Sequence, residues 1–297
     1  MLSSITVPGT GVIWLSEVVV LQERISDDIY VFTSDLYAQV TAGVVATPDG
    51  VVVIDTMPFP VEAREIVEFI ARRFPAGVRY IILTHYHADH TYGAYLFPEA
   101  PVVAHARCRH LLSTRGEQGL LAARAEAPEL EEVVLRLPDL TLDDGEMDLH
   151  LGDKTFRLLW TPGHSEDLLS VFVEEDRVLL ASDLVMPVPT IVDGDLEALK
   201  RSLRKVAELQ PDSIVRGHGE VILRGEVQDA IQANIAYLDA ISDLVAEAVA
   251  QGRRRETLFS EDIERCGLSR VFLHGQAPRL HVANLLALYD RMKRHAR

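Results

Sequence analysis

His85, His87, Asp89 and His90 fall within six consecutive positions as an H-x-H-x-D-H run. Core packing offers no reason to collect imidazole and carboxylate groups so densely, whereas metal coordination does. The run follows Val78-Arg79-Tyr80-Ile81-Ile82-Leu83-Thr84, an apolar stretch that predicts a buried strand. Side chains repeat every second residue on a strand, so His85 and His87 are expected on one side. Chain reversal after His87 would bring Asp89 and His90 to the other side of the same pocket. A single turn would then supply ligands to two adjacent ions.

Further donors sit in short turns after apolar runs. His164 lies in Thr161-Pro162-Gly163-His164-Ser165 after the run Thr155 to Trp160. Asp183 ends Ala181-Ser182-Asp183 after Arg177 to Ala181, and His218 lies in Arg216-Gly217-His218-Gly219 after Ser213 to Val215. Donors at strand ends fit an α/β scaffold whose loops carry chemistry on a rigid base. Five histidines and two aspartates suit zinc, with iron or manganese as the other candidates.

With these motifs the chain resembles the metallo-β-lactamase-fold hydrolase superfamily. The likeness runs from the hairpin Gly43 to Thr56, through the histidine run, to His218. It implies that His85, His87 and His164 bind a first metal ion, that Asp89, His90 and His218 bind a second, and that Asp183 bridges them. It also implies that Asp55, at the end of its strand, supports the site as a carboxylate behind the ligands. The fold it implies is α/β, a four-layer αββα sandwich of two sheets covered by helices.

Subfamily patterns fit less well. True β-lactamases of this fold usually lack a bridging Asp at the position of Asp183. The iron-dependent oxidoreductases usually carry Glu where this chain has His87. Quorum-signal lactonases often place Tyr where Met186 stands, and glyoxalase-II-type thioesterases carry Gly-Asp-Thr-Leu-Phe where this chain reads Ser182-Asp183-Leu184-Val185-Met186.

Composition narrows the class. A chain of 297 residues with 48% hydrophobic content has ample material for a core. A net charge of −16 and pI near 5.1 disfavour a broad nucleic-acid surface. Cys108 and Cys266 have no ligand-like spacing and read as free thiols of a reducing compartment. Pro8, Gly9 and Gly11 interrupt any N-terminal apolar segment, and no apolar run reaches the roughly 18 residues of a spanning helix. A cytoplasmic enzyme that takes a small molecule and no membrane or nucleic acid is the expectation.

Several elements must position these groups. Strand-like runs fill Ile29 to Thr56 around Pro48-Asp49-Gly50, and Val61 to Phe74 predicts an amphipathic helix. Val102-Val103 predicts a short strand, Ala106 to Ala125 a helix, and Leu137 to His150 irregular or strand-rich chain. Helices are expected over Leu196 to Leu209, Glu226 to Ala250 and Leu280 to Arg294. The organisation read from this is a catalytic domain over 1–223 and a helical C-terminal extension over 224–297. The extension either packs over the site or forms a homodimer surface. His281 and Asn284 share a helical face and could anchor the last helix by hydrogen bonds.

Met57 and Phe59 follow Asp55 at a strand end, and Met186 follows Asp183. All three are candidate substrate contacts, with loop packing as the plain alternative for Met57 and Phe59. The other histidines (His105, His110, His150, His274, His281 and His295) read as ordinary.

Two divalent ions ligated by Asp89 and Asp183 would lower the pKa of a shared water from about 15.7 to about 7, making hydroxide available at neutral pH. The expected activity is therefore dinuclear metal-dependent hydrolysis of a small ester, lactone or thioester, with Asp89 as ligand and proton carrier. The alternatives are a β-lactamase-like amidohydrolase and an iron-dependent oxidoreductase on the same fold.

Overall fold

The computed structural model of the chain describes residues 4–7, 10–14 and 20–295. Pro8 and Gly9, on which part of the N-terminal expectation rested, lie outside the described residues. A hairpin of β1 (Ser4–Val7) and β2 (Thr10–Trp14) comes first. The first large sheet has seven strands in sequence order: β3 (Leu21–Arg24), β4 (Ile29–Thr33), β5 (Thr41–Thr47), β6 (Gly50–Ile54), β7 (Val78–Ile82), β8 (Val102–His105) and β9 (Leu140–Leu142). It is antiparallel as far as β6 and parallel from β6 to β9. The second sheet has five: β10 (Glu146–Leu151), β11 (Lys154–Trp160), β12 (Leu169–Val173), β13 (Val178–Ser182) and β14 (Ser213–Arg216), with only β13 and β14 parallel.

Residue parity explains why both sheets are buried on two faces. Val51 and Val53 of β6 pack with Ala63, Ile66, Phe69 and Ile70 of helix α1 (Pro60–Arg73), while Val52 and Ile54 pack with Leu158, Val171 and Leu180 of the other sheet. Side chains alternate across a strand, so a continuous apolar run such as Val51-Val52-Val53-Ile54 serves both layers. The second sheet repeats the device: Leu180 faces inward, and Leu179 and Ala181 face the helices α5 (Leu196–Glu208) and α6 (Val227–Ala250). The four-layer αββα sandwich follows from this packing.

The short helix α2 (Ala88–Thr91) carries part of the histidine run. The predicted helix from Ala106 is split into α3 (Ala106–Leu111) and α4 (Glu117–Glu126) by a wider π-type turn over Leu112–Gly116. That turn shifts the buried face, so Leu112 joins the core under the first sheet and Leu120 joins a separate cluster with Tyr92 and Val133. The C-terminal part comprises α6, a four-residue turn α7 (Phe272–Gly275) and α8 (Ala277–His295). Ile231, Leu238, Ile241, Leu285 and Leu288 from these helices share one apolar cluster with Leu179 and Ile214 of the second sheet.

Candidate metal centre

All seven donors named from the sequence converge at one end of the sandwich. His87 caps the start of α2 with extended backbone, so the chain reverses there, and Tyr86 N donates to the buried Asp167 carboxylate at 2.8 Å to hold that turn. Two groups of donor atoms result. His85, His87, His164 and Asp183 form one; Asp89, His90 and His218 form the other. Asp183 touches both, with Oδ2 at 3.2 Å from His164 Nε2 and Oδ1 at 3.4 Å from His90 Nε2 and 3.6 Å from His218 Nε2.

The outward nitrogen of four rings is fixed by a group on the chain. His90 Nδ1 lies 2.8 Å from Asp55 Oδ2, His218 Nδ1 lies 2.9 Å from the Ala38 carbonyl, and His164 Nδ1 lies 3.2 Å from the Thr190 carbonyl and 2.7 Å from its hydroxyl. His85 Nδ1 lies 3.0 Å from Thr84 Oγ1, whose own proton is directed to Asp55 Oδ2 at 2.8 Å. Carboxylates and carbonyls only accept, so each Nδ1 carries a proton and each Nε2 faces inward. This is how outer partners orient metal-ligating histidines.

The inward atoms fit cations and fit each other poorly. His87 Nδ1 lies 3.0 Å from His85 Nε2 and 3.0 Å from His164 Nε2. One ring hydrogen cannot satisfy both lone pairs, whereas tetrahedral ligands at 2.0–2.1 Å from a zinc ion stand about 3.3 Å apart. In the second group His90 Nε2 and Asp183 Oδ1, 3.4 Å apart, are buried and make no hydrogen bond of good geometry among the described residues. Buried polar atoms are nearly always paired, and a cation would satisfy both. The donor set present here therefore fits metal ions.

Protonation differs between the two donor groups. Burial, with the neighbouring imidazoles, pushes His85 well below its ordinary value, and burial lowers His164 to about 4. Burial opposes ionisation of Asp89, but His90 and His218 hold it low; His218, His164 and His90 do the same for the buried Asp183. Against burial, Asp55, Asp89 and Asp183 raise His90 well above its ordinary value, and Asp183 and Asp89 raise His218, so these two rings hold a second proton that a bound cation would replace.

Other groups near the site had no local signal in the sequence. Asp193 Oδ2 lies 3.5 Å from His87 Nε2 and accepts from Tyr86 OH at 2.5 Å; His87 first, then Tyr86 and Arg115, bring it to about 2 against burial. Tyr37 stands at the site with its hydroxyl pushed up to about 12 by Asp89 and burial. Gly217 is required where it is: an added Cβ would come within 1.8 Å of Asp183 Oδ1. Asp55, Met57 and Ser182 adopt left-handed backbone, at φ 59°, 67° and 49°, where the chain leaves its strands beneath the site.

A cavity of about 350 Å³ opens over the donors. Tyr37, Ala38, Asp89, Met186 and Thr190 line it on the sandwich side, and Leu273, Gln276 and Leu280 close it from the C-terminal part. The C-terminal chain thus covers the site. Met186 forms part of the wall. Met57 does not: it is fully buried with Ala63 and Ile66 under the first sheet, a burial worth roughly 1.5–3 kcal/mol that anchors its loop. Phe59 packs beside Tyr92 and Leu130, with its ring 6.4 Å from that of Tyr37.

A sandwich of two mixed sheets with paired His/Asp donor groups at its strand ends defines a metal-site scaffold of a particular kind. Residues 37–218 match the model of the metallo-beta-lactamase superfamily, and the chain belongs to that superfamily. It is 28% identical over 145 residues to the beta-lactamase-like protein 2 homolog of Caenorhabditis elegans, covering 49% of this chain and 43% of that protein. It is 26% identical over 176 residues to the hydroxyacylglutathione hydrolase of Rhodopseudomonas palustris, covering 58% and 61%. With the atrochrysone carboxyl ACP thioesterase of Aspergillus fumigatus it shares 27% identity over 172 residues, covering 58% and 47%. The chain spans about half the length of the curated relatives it matches. Among solved structures, a metallo-beta-lactamase family protein from Thermus thermophilus superposes with a TM-score of 0.68 at 21% identity, covering 92% of this chain and 95% of that one. A stereoselective inverting sec-alkylsulfatase from Pseudomonas sp. gives a TM-score of 0.74 at 15% identity, covering 92% and 50%. These structural likenesses extend to the fold. No helix among the described residues is long and apolar enough to cross a membrane.

Proposed function

We propose that the protein is a dinuclear metal-dependent hydrolase of small esters, lactones or thioesters. One observation carries the reading: two donor groups share Asp183, and four histidines are fixed with Nε2 facing inward. Zinc suits the donors best, with His85, His87 and His164 on the first ion, Asp89, His90 and His218 on the second, and Asp183 between. When bound, such ions supply Lewis acidity toward a carbonyl oxygen and bring the pKa of a water to about 7.

The chain's own groups do the rest. Asp89 is the more exposed of the two carboxylates, at 16% against 3% for Asp183, and faces the cavity, where it can carry a proton to the leaving group. Tyr37 keeps its proton and can donate a hydrogen bond at the mouth. Met186, Leu273 and Leu280 offer an apolar wall to an acyl group, and a cavity of about 350 Å³ suits a small substrate. Two relatives are named for hydrolysis of hydroxyacylglutathione and of an acyl carrier protein thioester, which supports trying thioesters first.

The test is turnover of thioesters, lactones, aryl esters, β-lactams and phosphodiesters by protein of measured metal content. Hydrolysis of acyl substrates that scales with two bound ions is expected. Bound iron with oxygen consumption, or no acyl hydrolysis at full occupancy, would refute the proposal.

A further inference from the structure

The segment joining β13 to α5 is buried without being a strand: Met186, Val188 and Ile191 are at most 3% exposed. Backbone polar groups in such a place need partners. Pro187 and Pro189 carry no N–H, so two donors are missing from the start. Side chains of α6 and α8 serve much of the remainder. Asn234 accepts from Met186 N at 3.3 Å and donates to the Met186 carbonyl at 3.0 Å. Asn284 accepts from Ile191 N at 3.0 Å and donates to the Pro189 carbonyl at 2.7 Å. Arg291 donates to the Ile191 and Val192 carbonyls at 2.7 and 3.0 Å.

Each asparagine amide thus replaces a neighbouring strand, presenting a donor and an acceptor together. Both side chains are buried, and a Tyr237 hydroxyl that also meets His281 Nδ1 at 3.0 Å accepts from Asn284 at 3.2 Å. Thr190 stands inside the Asn284 grip, between Pro189 and Ile191, with its hydroxyl 2.7 Å and its carbonyl 3.2 Å from His164 Nδ1.

We propose that Asn234 and Asn284 are positioning residues for the metal centre: by gripping Met186 to Ile191 they hold Thr190 on His164 and fix that ring with Nε2 facing the donor group. The consequence for metal binding rests on the reading above; the placement of the ring does not. The C-terminal helices are on this view part of the site's construction as well as its cover.

The experiment compares the full-length chain with Asn284→Ala, Thr190→Val and their double variant. Nitrogen-15 NMR of the histidine rings reads the tautomer of His164 in the metal-free chain, with His105, whose Nδ1 accepts from Arg107 N at 3.1 Å away from the donors, as internal reference. In Asn284→Ala, His164 should leave its single Nδ1–H form while His105 keeps its own. Titration with zinc alone should show one of two equivalents weakened on the order of tenfold. Thr190→Val should add little to Asn284→Ala, because Thr190 has already lost its place; additive losses would count against the clamp. Asn284→Asp keeps the shape and the bond from Ile191 N but cannot donate to Pro189, and it provides the folded comparison if the alanine variant unfolds. An unchanged His164 tautomer and unchanged zinc affinity in a folded Asn284 variant would overturn the proposal. A wild-type chain that takes up no zinc would refute the hydrolase reading, while the ring measurement would still decide the clamp.

Discussion

Asp55 Oδ2 and His90 Nδ1 lie 2.8 Å apart, both fully enclosed, and the same carboxylate accepts from Thr84 N and Thr84 Oγ1 at 2.9 and 2.8 Å. One buried anion therefore ties β6 to the start of the histidine run and sets the ring of a donor in the second group. Asp55→Asn keeps the shape and removes the charge facing the ring. Zinc affinity should fall about 10- to 100-fold, the usual effect of losing an outer partner. Competition against a chelator measures it, and an unchanged affinity would show that the carboxylate serves the fold alone.

The donors themselves make the broader test. Asp183→Asn and His164→Ala should each lower both zinc content and turnover, on the order of 100-fold for turnover given the cost of misplaced reacting groups. His150→Ala should change neither, because His150 is an exposed residue of β10 whose recorded partner is Thr155 Oγ1. Metal analysis beside steady-state rates reads both. Full activity in the first two variants would end the metal-site assignment.

What the sequence discloses here depends on distance along the chain. The histidine run was legible because six consecutive positions hold four donors at the end of an apolar strand. The sandwich was legible through the family resemblance that the donor motifs carry, and runs such as Val51 to Ile54, apolar at every position, agree with a sheet covered on both faces. Thr190, Asn234 and Asp193 gave no such signal: each meets its partner 26 to 107 positions away along the chain, and each is an ordinary polar residue in its local context. Asn284 was legible as a helix anchor beside His281, but the segment it grips, 93 positions away, was not. Met57 illustrates the converse. It follows a site carboxylate closely in sequence, but left-handed backbone at φ 67° accompanies a side chain packed in the core.

Gly217 offers a way to disturb the shared carboxylate without touching a donor. A methyl group there would meet Asp183 Oδ1 at 1.8 Å and the Ser182 carbonyl carbon at 2.7 Å, so Asp183 must move. Gly217→Ala should take up fewer than two zinc ions per chain and lose roughly 100-fold in turnover. Metal analysis of folded protein checks it. Two tightly bound ions and normal turnover would show that Asp183 has room the structure denies it.

Glu62 supplies a pH-dependent prediction. Its carboxylate lies inside the protein, accepting from Ser34 Oγ at 2.7 Å and from Asp35 N and Leu36 N at 3.0 and 3.3 Å, and so shapes the loop that carries Tyr37 and Ala38. Burial raises its pKa above the ordinary 4.5 despite those bonds. The folded state therefore holds this proton more tightly than the unfolded state. Its contribution is fully present below about pH 4.5 and is lost as pH rises through the folded value. Glu62→Gln removes that titration, so the variant's stability should gain on wild type as pH rises from about 4.5. Denaturant unfolding across pH measures the difference, and a variant that loses stability relative to wild type as pH rises would contradict the sign.

The cavity wall carries strain that can be relieved from outside. Leu273, His274 and Gly275 are consecutive left-handed residues, at φ 53°, 54° and 83°. L residues other than glycine pay about 1–2 kcal/mol each for this conformation. Leu273 is 3% exposed and lines the cavity, so burial compensates it; His274 is exposed and makes no side-chain hydrogen bond among the described residues. His274→Gly should gain the strain energy less the roughly 0.4–1 kcal/mol of added freedom in the unfolded chain. The net is about 0.5–1 kcal/mol, a rise in Tm of about 2 °C for a chain of this size. Leu273→Gly should move the other way, because losing a buried leucine costs roughly 2–5 kcal/mol, more than the strain it relieves. Thermal unfolding of the two variants side by side tests the argument, and a drop in Tm for His274→Gly would mean that its imidazole holds the turn by contacts of its own.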